Sequence, residues 1–373
     1  MGDVKPFFLD LTADEISGLE STFGNILRSG QLILNQYTEQ FESEFAAKMG
    51  VPYAVATSSG TASLIMLLRA HQAMGKKVAV PTNTNFASAA AILHVGAMPV
   101  FMDMDCETFA PTLDMLKEAH HKDEIDGVVW VHIGGLISPE FTQVVEYCKS
   151  NKLFLIEDAA HAHGSKMSGV CAGAFADGGA FSFFPTKVMT TMEGGMVTTH
   201  DKDVADIMRS LRNQGKGASK FGSDHLHLGS SWRISEIAAA MGLVQLGKLD
   251  QMLDVRANAA KSMIKVLDEL GVPYCKFDHM DRASQYKLIV RYKQDASIDD
   301  LKKQFKECGV ILGGGVYDRT CHQQEVFKDV PVSDDGFPVA EKYCPRHICP
   351  PLTSGLTDDD VECVTNAFRQ VLA

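Results

Sequence analysis

The chain has 373 residues, with 35 Lys and Arg against 47 Asp and Glu, a formal net charge of −12. At roughly 150 residues per domain, that length spans two to three structural units and can bury a large core. The negative balance offers no overall positive field to phosphate backbones or anionic bilayers, which argues against nucleic acid and membrane as partners. Nine cysteines, an odd number without a CxxC pair, fit reduced thiols in a cytoplasmic protein better than a disulfide framework or a zinc site. The opening MGDVKPFFLDLTADE lacks the basic and apolar regions of a signal peptide.

Apolar spacing predicts helices over residues 13–27 and 35–48, after an irregular entry. From Val51 onward short apolar strands alternate with helices. Strands are expected at 53–57, 78–81, 99–102, 127–132, 153–157, 179–183 and 196–199, and helices at 62–74, 86–95, 112–120 and 139–151. Residues 78–102 carry no formal charge, but Pro81, Asn83, Asn85, His94, Gly96 and Pro99 interrupt them. They read as strand, helix and strand inside a soluble core rather than a membrane span. The alternation predicts a mostly parallel sheet with helices on both faces. The last two strands have no helix between them and are expected to pair directly, making the sheet mixed. Helices at 201–213 and 235–270 follow. A strand at 285–292, a helix at 298–307, the turn Gly313–Gly315 and a helix at 358–372 form a smaller α+β unit. The expected division is a large domain over 1–250 and a small one over 251–373.

Three segments carry the chemistry. Thr57-Ser58-Ser59-Gly60-Thr61 joins a strand to a helix, where helix N-terminal amides and small hydroxyls can cradle a phosphate. Many strand–helix turns look like this, and it matches neither a Walker loop nor GxGxxG. Asp158 closes an apolar strand at the carboxyl edge of the sheet, where such folds bind ligands. Alone it reads equally as a helix cap. His161-x-His163 follows, a metal-like spacing with no evident third ligand. Ser182 and Lys187 come after another strand, ahead of Glu193-Gly194-Gly195. A desolvated lysine can form a Schiff base with an aldehyde, although Lys187 alone also reads as a surface loop residue. Together, the phosphate cup, the acid and the lysine meet the needs of a pyridoxal phosphate (PLP) site.

At this point the chain resembles the DegT/DnrJ family of sugar aminotransferases, within the aspartate aminotransferase fold (fold type I). The resemblance runs through ATSSGTASL, VPTNTNFASAAAI, GAMPVFMDMD, LIEDAAHAHGS, FSFFPTK, EGGMVTT, LRNQG, WRISEIAAAMGLVQL and GLTDDD. Within the family it is similar to the octulosonate branch, which makes 8-amino-3,8-dideoxy-manno-octulosonate for lipopolysaccharide from the 8-oxo sugar acid.

The resemblance implies that Lys187 binds the cofactor as a Schiff base and then shuttles a proton. Asp158 would pair with the pyridine N–H, while Ser59, Gly60, Thr61 and Ser182 hold the phosphate. His161 stands where many relatives carry glutamine beside the phenolic oxygen. Ser231 replaces an asparagine that reaches the partner subunit's cofactor in a homodimer with shared active sites. Asn85 stands where relatives carry an aromatic over the ring, so either Asn85 or Phe86 covers it. Glutamate is the implied amino donor, and a cationic contact for carboxylates is expected. Arg319, His322 and Tyr317 in YDRTCHQQ, with Arg233 and Arg212, are the candidates. The resemblance leaves two alternatives open, an aminotransferase for a nucleotide-linked keto-sugar and a PLP-fold sensor without turnover. A sugar dehydratase is disfavoured, because those relatives carry histidine in place of Lys187.

Overall fold

A computed structural model describes residues 2–217, 224–292, 296–332 and 335–373. Helix α1 (Ala13–Ser29) starts at a capping box between Thr12 and Glu15, and α2 (Gln36–Met49) follows. Asn35 at the start of α2 makes no side-chain cap. The buried Glu236 carboxylate serves instead, accepting from the amides of Asn35, Tyr37 and Thr38 at 2.9, 2.8 and 3.1 Å.

Alternation begins with β1 (Tyr53–Thr57), α3 (Gly60–Ala70), β2 (Lys77–Pro81), α4 (Phe86–His94) and β3 (Met98–Met102). It continues through α5 (Leu113–Asp123), β4 (Gly127–Val131), α6 (Phe141–Asn151) and β5 (Phe154–Asp158). A small hairpin, β6 (Lys166–Met167) and β7 (Val170–Cys171), precedes β8 (Gly178–Ser182) and β9 (Gly195–Thr199). Then come α7 (Lys202–Arg212), α8 (Glu236–Gly247), α9 (Leu249–Leu270), β10 (Val290–Arg291) and α10 (Ile298–Glu307). The described chain ends with α11 (Pro338–Tyr343), β11 (His347–Ile348) and α12 (Asp358–Val371).

Seven strands form one sheet in the order β1-β9-β8-β5-β4-β2-β3. Five of them, β8 to β3 in that order, pair in parallel, while β9 runs antiparallel to both β8 and β1. Strand β1 therefore points the same way as the parallel set. Alternate residues of each strand serve opposite faces. Val80, Val129, Val131, Ile156 and Val197 pack with residues of α3, α4 and α7. Ala79, Val128, Trp130, Leu155, Phe181 and Met196 pack with α2, α5, α6 and α8. With both faces covered, the strands are apolar almost throughout. The first of these cores runs on into the C-terminal third through Leu288, Ile289, Phe305 and Phe368.

Two expected elements are corrected. The single helix over 235–270 is two helices, because Lys248 leaves helical geometry at φ −113°, ψ 10° after Gly247. Its ammonium there binds Asp10 and Glu15, each at 2.8 Å. The strand over 285–292 shrinks to β10, and Gln285, at its expected start, adopts φ +49°, a left-handed conformation outside the extended region. The uncharged stretch 78–102 is β2, α4 and β3. No helix among the described residues is long and apolar enough to cross a membrane. All nine cysteines are free thiols.

Candidate active site

The ends of β1, β5 and β8 share one edge of the sheet, and a cavity of about 480 Å³ opens there. Ser59, Gly60, Thr61, Asp158, His161, Ser182, Lys187 and Tyr317 all line it. At its floor, the turn after β1 feeds straight into α3. The Ser59 hydroxyl oxygen accepts from the Ala62 amide at 3.1 Å and caps the helix. The Gly60 and Thr61 amides make no hydrogen bond among the described residues, so the helix start presents two free donors with the positive end of its dipole. Only glycine fits at 60, since a Cβ there would lie 2.8 Å from Ser182 Cβ. Gly195 of β9 passes equally close beneath, where a Cβ would come within 2.4 Å of the Ser59 backbone.

Asp158, the last residue of β5, is buried. Its Oδ2 accepts from Ser88 Oγ at 2.7 Å and its Oδ1 from the Ala160 amide at 3.2 Å. Ser88 Oγ lies 2.7 Å from Thr84 Oγ1. Since the Ser88 proton goes to the carboxylate, Thr84 is the donor in that second bond. The chain Thr84–Ser88–Asp158 thus fixes the carboxylate from α4. Sequence reasoning missed Thr84 and Ser88, although their i,i+4 spacing across the start of α4 puts them on one side.

Lys187 is half-buried, with Nζ 5.1 Å from the centroid of the Tyr286 ring. Burial lowers its pKa against the opposing pull of Tyr286 and Asp158, and the charge of Lys287 lowers it further. Tyr286 stacks on His161 with centroids 4.3 Å apart. Burial alone would raise the Tyr286 pKa, but Lys187, Lys287, the Thr186 hydrogen bond and Arg256 together bring it below the ordinary phenol value.

His161 is held neutral, first by burial and then by the charges of Lys187 and Lys287, which set its pKa well below the usual value. The Gly134 amide donates to its Nδ1 at 3.3 Å. An amide can only donate, so the ring proton sits on Nε2. That proton points to the Tyr317 oxygen, 3.2 Å away. Burial raises the Tyr317 pKa, so its phenol stays protonated. His163 is separate: it is fully buried beside Phe181 and Phe183, and neither ring nitrogen has a hydrogen-bond partner. Among the described residues no cluster of His, Cys, Asp or Glu could hold a metal ion.

Six expected site residues lie outside the cavity lining. Phe86 is 51% exposed and packs on Phe327, while Asn85 lines the cavity in its place. His322 is engaged by Thr82 at 2.6 Å and Glu341 at 3.1 Å, with its ring against Phe337. Arg319 binds the Gln323 carbonyl. Arg233 donates to Asn213 at 3.0 Å and to Ser231 at 2.6 Å, which occupies both residues in one local bridge. Arg212 is likewise taken, by Glu42 and the Ala56 carbonyl. The cavity contains instead two residues the sequence did not flag, Tyr286 and Lys287, together with Gly314 and Gly315.

The model of the DegT/DnrJ/EryC1/StrS aminotransferase family matches residues 15–369. The chain belongs to that family. It is 32% identical over 388 residues to the spore coat polysaccharide biosynthesis protein SpsC of Bacillus subtilis, covering 98% of this chain and 97% of SpsC. It is 32% identical over 328 residues to a GDP-perosamine synthase of Caulobacter vibrioides, covering 87% and 81% of the two chains. Among solved structures it is similar to the protein Spr1654 of Streptococcus pneumoniae. The PLP form of that protein gives a TM-score of 0.88 and 25% identity, over 99% of this chain and 98% of that one. The fold is thus that of the PLP aminotransferases. The residues of the cavity fit such a cofactor: free amides at a glycine-dependent helix start, a buried carboxylate on a fixed scaffold, a neutral N–H donor and a desolvated lysine.

Proposed function

We propose that this PLP-dependent sugar aminotransferase moves an amino group from glutamate to 8-oxo-3-deoxy-manno-octulosonate, giving 8-amino-3,8-dideoxy-manno-octulosonate. The observation that carries the reading is the convergence of Lys187, Asp158 and the α3 N-terminus on one cavity. PLP supplies an electrophilic carbonyl and an electron sink when bound. The Gly60 and Thr61 amides, with Ser59 and Ser182, would hold its phosphate. Asp158, steadied by Ser88, would accept the ring N–H, and His161 Nε2–H, which without the cofactor points to the Tyr317 oxygen, would donate to the phenolic oxygen. Lys187 Nζ is the group that would bind the cofactor covalently, and the same amine would move a proton at the amino-bearing carbon, a role its lowered pKa suits. Tyr286 and Tyr317 flank this end of the cavity.

A homodimer with shared active sites and a cytoplasmic location belong to the same reading. So does the division into a large domain to about residue 250 and a smaller one beyond it. The acceptor has a second reading, a nucleotide-linked keto-sugar, favoured by the name of the GDP-perosamine synthase relative.

One experiment tests donor and acceptor together. Glutamate added to the holoenzyme should convert the absorbance of the PLP form to that of the PMP form. The loaded enzyme is then offered the 8-oxo sugar acid, or GDP- and UDP-linked keto-sugars, and the products are weighed by mass spectrometry. Amination of the free acid supports the proposal. Amination of the nucleotide sugars alone establishes the second reading, and no absorbance change overturns the donor.

A further inference from the structure

Lys287 is a cation in the cavity without an assigned task. Among the described residues its ammonium makes no hydrogen bond and no ion pair, and it lies over the face of Tyr286, 5.4 Å from the centroid. The two carboxylates lining the cavity, Asp158 and Glu193, do not pair with it. Beside it runs the loop Gly313–Gly315, so close that a Cβ on Gly313 would lie 2.9 Å from Lys287 Nζ. The amides of Gly314 and Gly315 also lack a hydrogen-bond partner among the described residues, whereas those of Gly313, Val316 and Tyr317 are all used. One ammonium and two free amides therefore meet at the cavity wall built by the C-terminal segment.

The position of this group selects its ligand. The phosphate donors Gly60, Thr61 and Ser182 come from the sheet edge, in other parts of the chain. Lys287 instead shares the Tyr286 ring with Lys187, whose ammonium lies 5.1 Å from the same centroid. Its charge is felt at Lys187, His161 and Tyr286. It thus stands at the reactive end of the cavity, where the amino-bearing carbon must sit. In an amino acid donor the group bonded to that carbon is a carboxylate. In a sugar acid aminated at its far end, the carboxylate lies several bonds away. We propose that Lys287, with the Gly314 and Gly315 amides, forms the subsite for the α-carboxylate of the amino donor. This rests on the aminotransferase reading above, with Lys187 as the reactive lysine. Charge-assisted bonds from an ammonium and backbone amides are the usual means of holding a carboxylate.

The test uses the holoenzyme with Lys287→Met, which keeps the aliphatic stem, and Lys287→Arg, which keeps the charge. Glutarate, a dicarboxylate that cannot react, reports binding by calorimetry. Glutamate and 4-aminobutyrate, its counterpart without the α-carboxylate, report the first half-reaction by absorbance. Lys287→Met should weaken glutarate about tenfold or more and slow glutamate by a similar factor. Loss of the Lys287 charge beside Lys187 acts on both donors alike, so the subsite is read from the ratio of the two rates: glutamate over 4-aminobutyrate should fall about tenfold in Lys287→Met, and Lys287→Arg should recover most of it. The lysine-bound cofactor absorbance should persist in both variants, which also reports that they are folded. Equal glutarate affinity in wild type and Lys287→Met overturns the subsite, as does loss of the cofactor itself from Lys287→Met. A wild type that binds glutarate through Lys287 but never responds to glutamate would instead sink the glutamate assignment, leaving the carboxylate subsite standing.

Discussion

His163 offers a direct check of the electrostatics beneath the cavity. It is fully buried, its ring lies 5.5 Å from Phe181 and 5.6 Å from Phe183, and both ring nitrogens are unpartnered. Burial, with the charge of Lys187 as the second cause, lowers its pKa from 6.5 to about 3. In the unfolded chain the ring protonates as pH falls through 6.5, while in the folded protein it stays neutral until about pH 3. Between those values the unfolded state binds more protons, so stability is complete above pH 6.5 and falls as pH drops. At pH 5 the loss from this one residue comes to about 2 kcal/mol, and at pH 7 it is close to zero. His163→Phe keeps a ring between the phenylalanines and removes the proton. Urea unfolding of cofactor-free wild type and variant at pH 7.5 and pH 5.0 measures the difference. Wild type should lose about 2 kcal/mol more than the variant across that interval. Equal losses would mean that His163 is solvated or protonated in the folded state, and the burial argument would fail.

Two further substitutions probe the cofactor scaffold. Ser88→Ala removes the donor to Asp158 Oδ2 at a site where Ser88 and Thr84 are both buried, so water does not replace it. A hydrogen bond to a charged group contributes about 1.5–3 kcal/mol. Cofactor retention on dialysis should therefore fall about tenfold or more, and Ser88→Thr should restore it; unchanged retention in Ser88→Ala would refute the positioning role. Gly60→Ala brings a Cβ to 2.8 Å from Ser182 Cβ and 3.3 Å from the Phe181 carbonyl. Overpacking of this kind costs about 1–3 kcal/mol, so both Tm and cofactor retention should drop. A variant matching wild type in both would show that α3 does not press on β8 as described.

The legible parts of this molecule are those whose signal is local. Each parallel strand is a short apolar run followed by turn residues, and Gly60, Asp158 and Ser182 were readable because each stands at the end of one. The place of β9 was not readable beyond its pairing with β8. Its insertion against β1 depends on Gly195 slipping beneath Ser59, a contact between distant segments. The cationic candidates Arg319, His322 and Arg233 lie outside the lining, which their sequence neighbourhood did not show. Their partners Gln323, Thr82, Glu341 and Asn213 had to be known before it was clear that these side chains were already occupied. Lys287 was hidden the other way. QYKLIV reads as an ordinary strand, whereas Tyr286 and Lys287 follow a left-handed Gln285, lie outside β10 and line the cavity.

The acidic balance of the chain and the anionic chemistry of its site are then compatible for a physical reason. At physiological salt a surface charge is screened within roughly 8 Å, so a net −12 spread over the surface has little reach into a cavity at the sheet edge. What governs binding there is the local inventory. Two lysines and two carboxylates line the cavity, His161 is neutral, and the amides of four lining residues, Gly60, Thr61, Gly314 and Gly315, have no hydrogen-bond partner among the described residues. Once Lys187 is committed to the cofactor, Lys287 is the remaining lysine charge in the lining. A mobile cation shared between donor and acceptor would suit either. A lysine fixed against Tyr286 beside the reactive residue favours the ligand whose carboxylate adjoins the reacting carbon, which is the amino acid rather than the sugar.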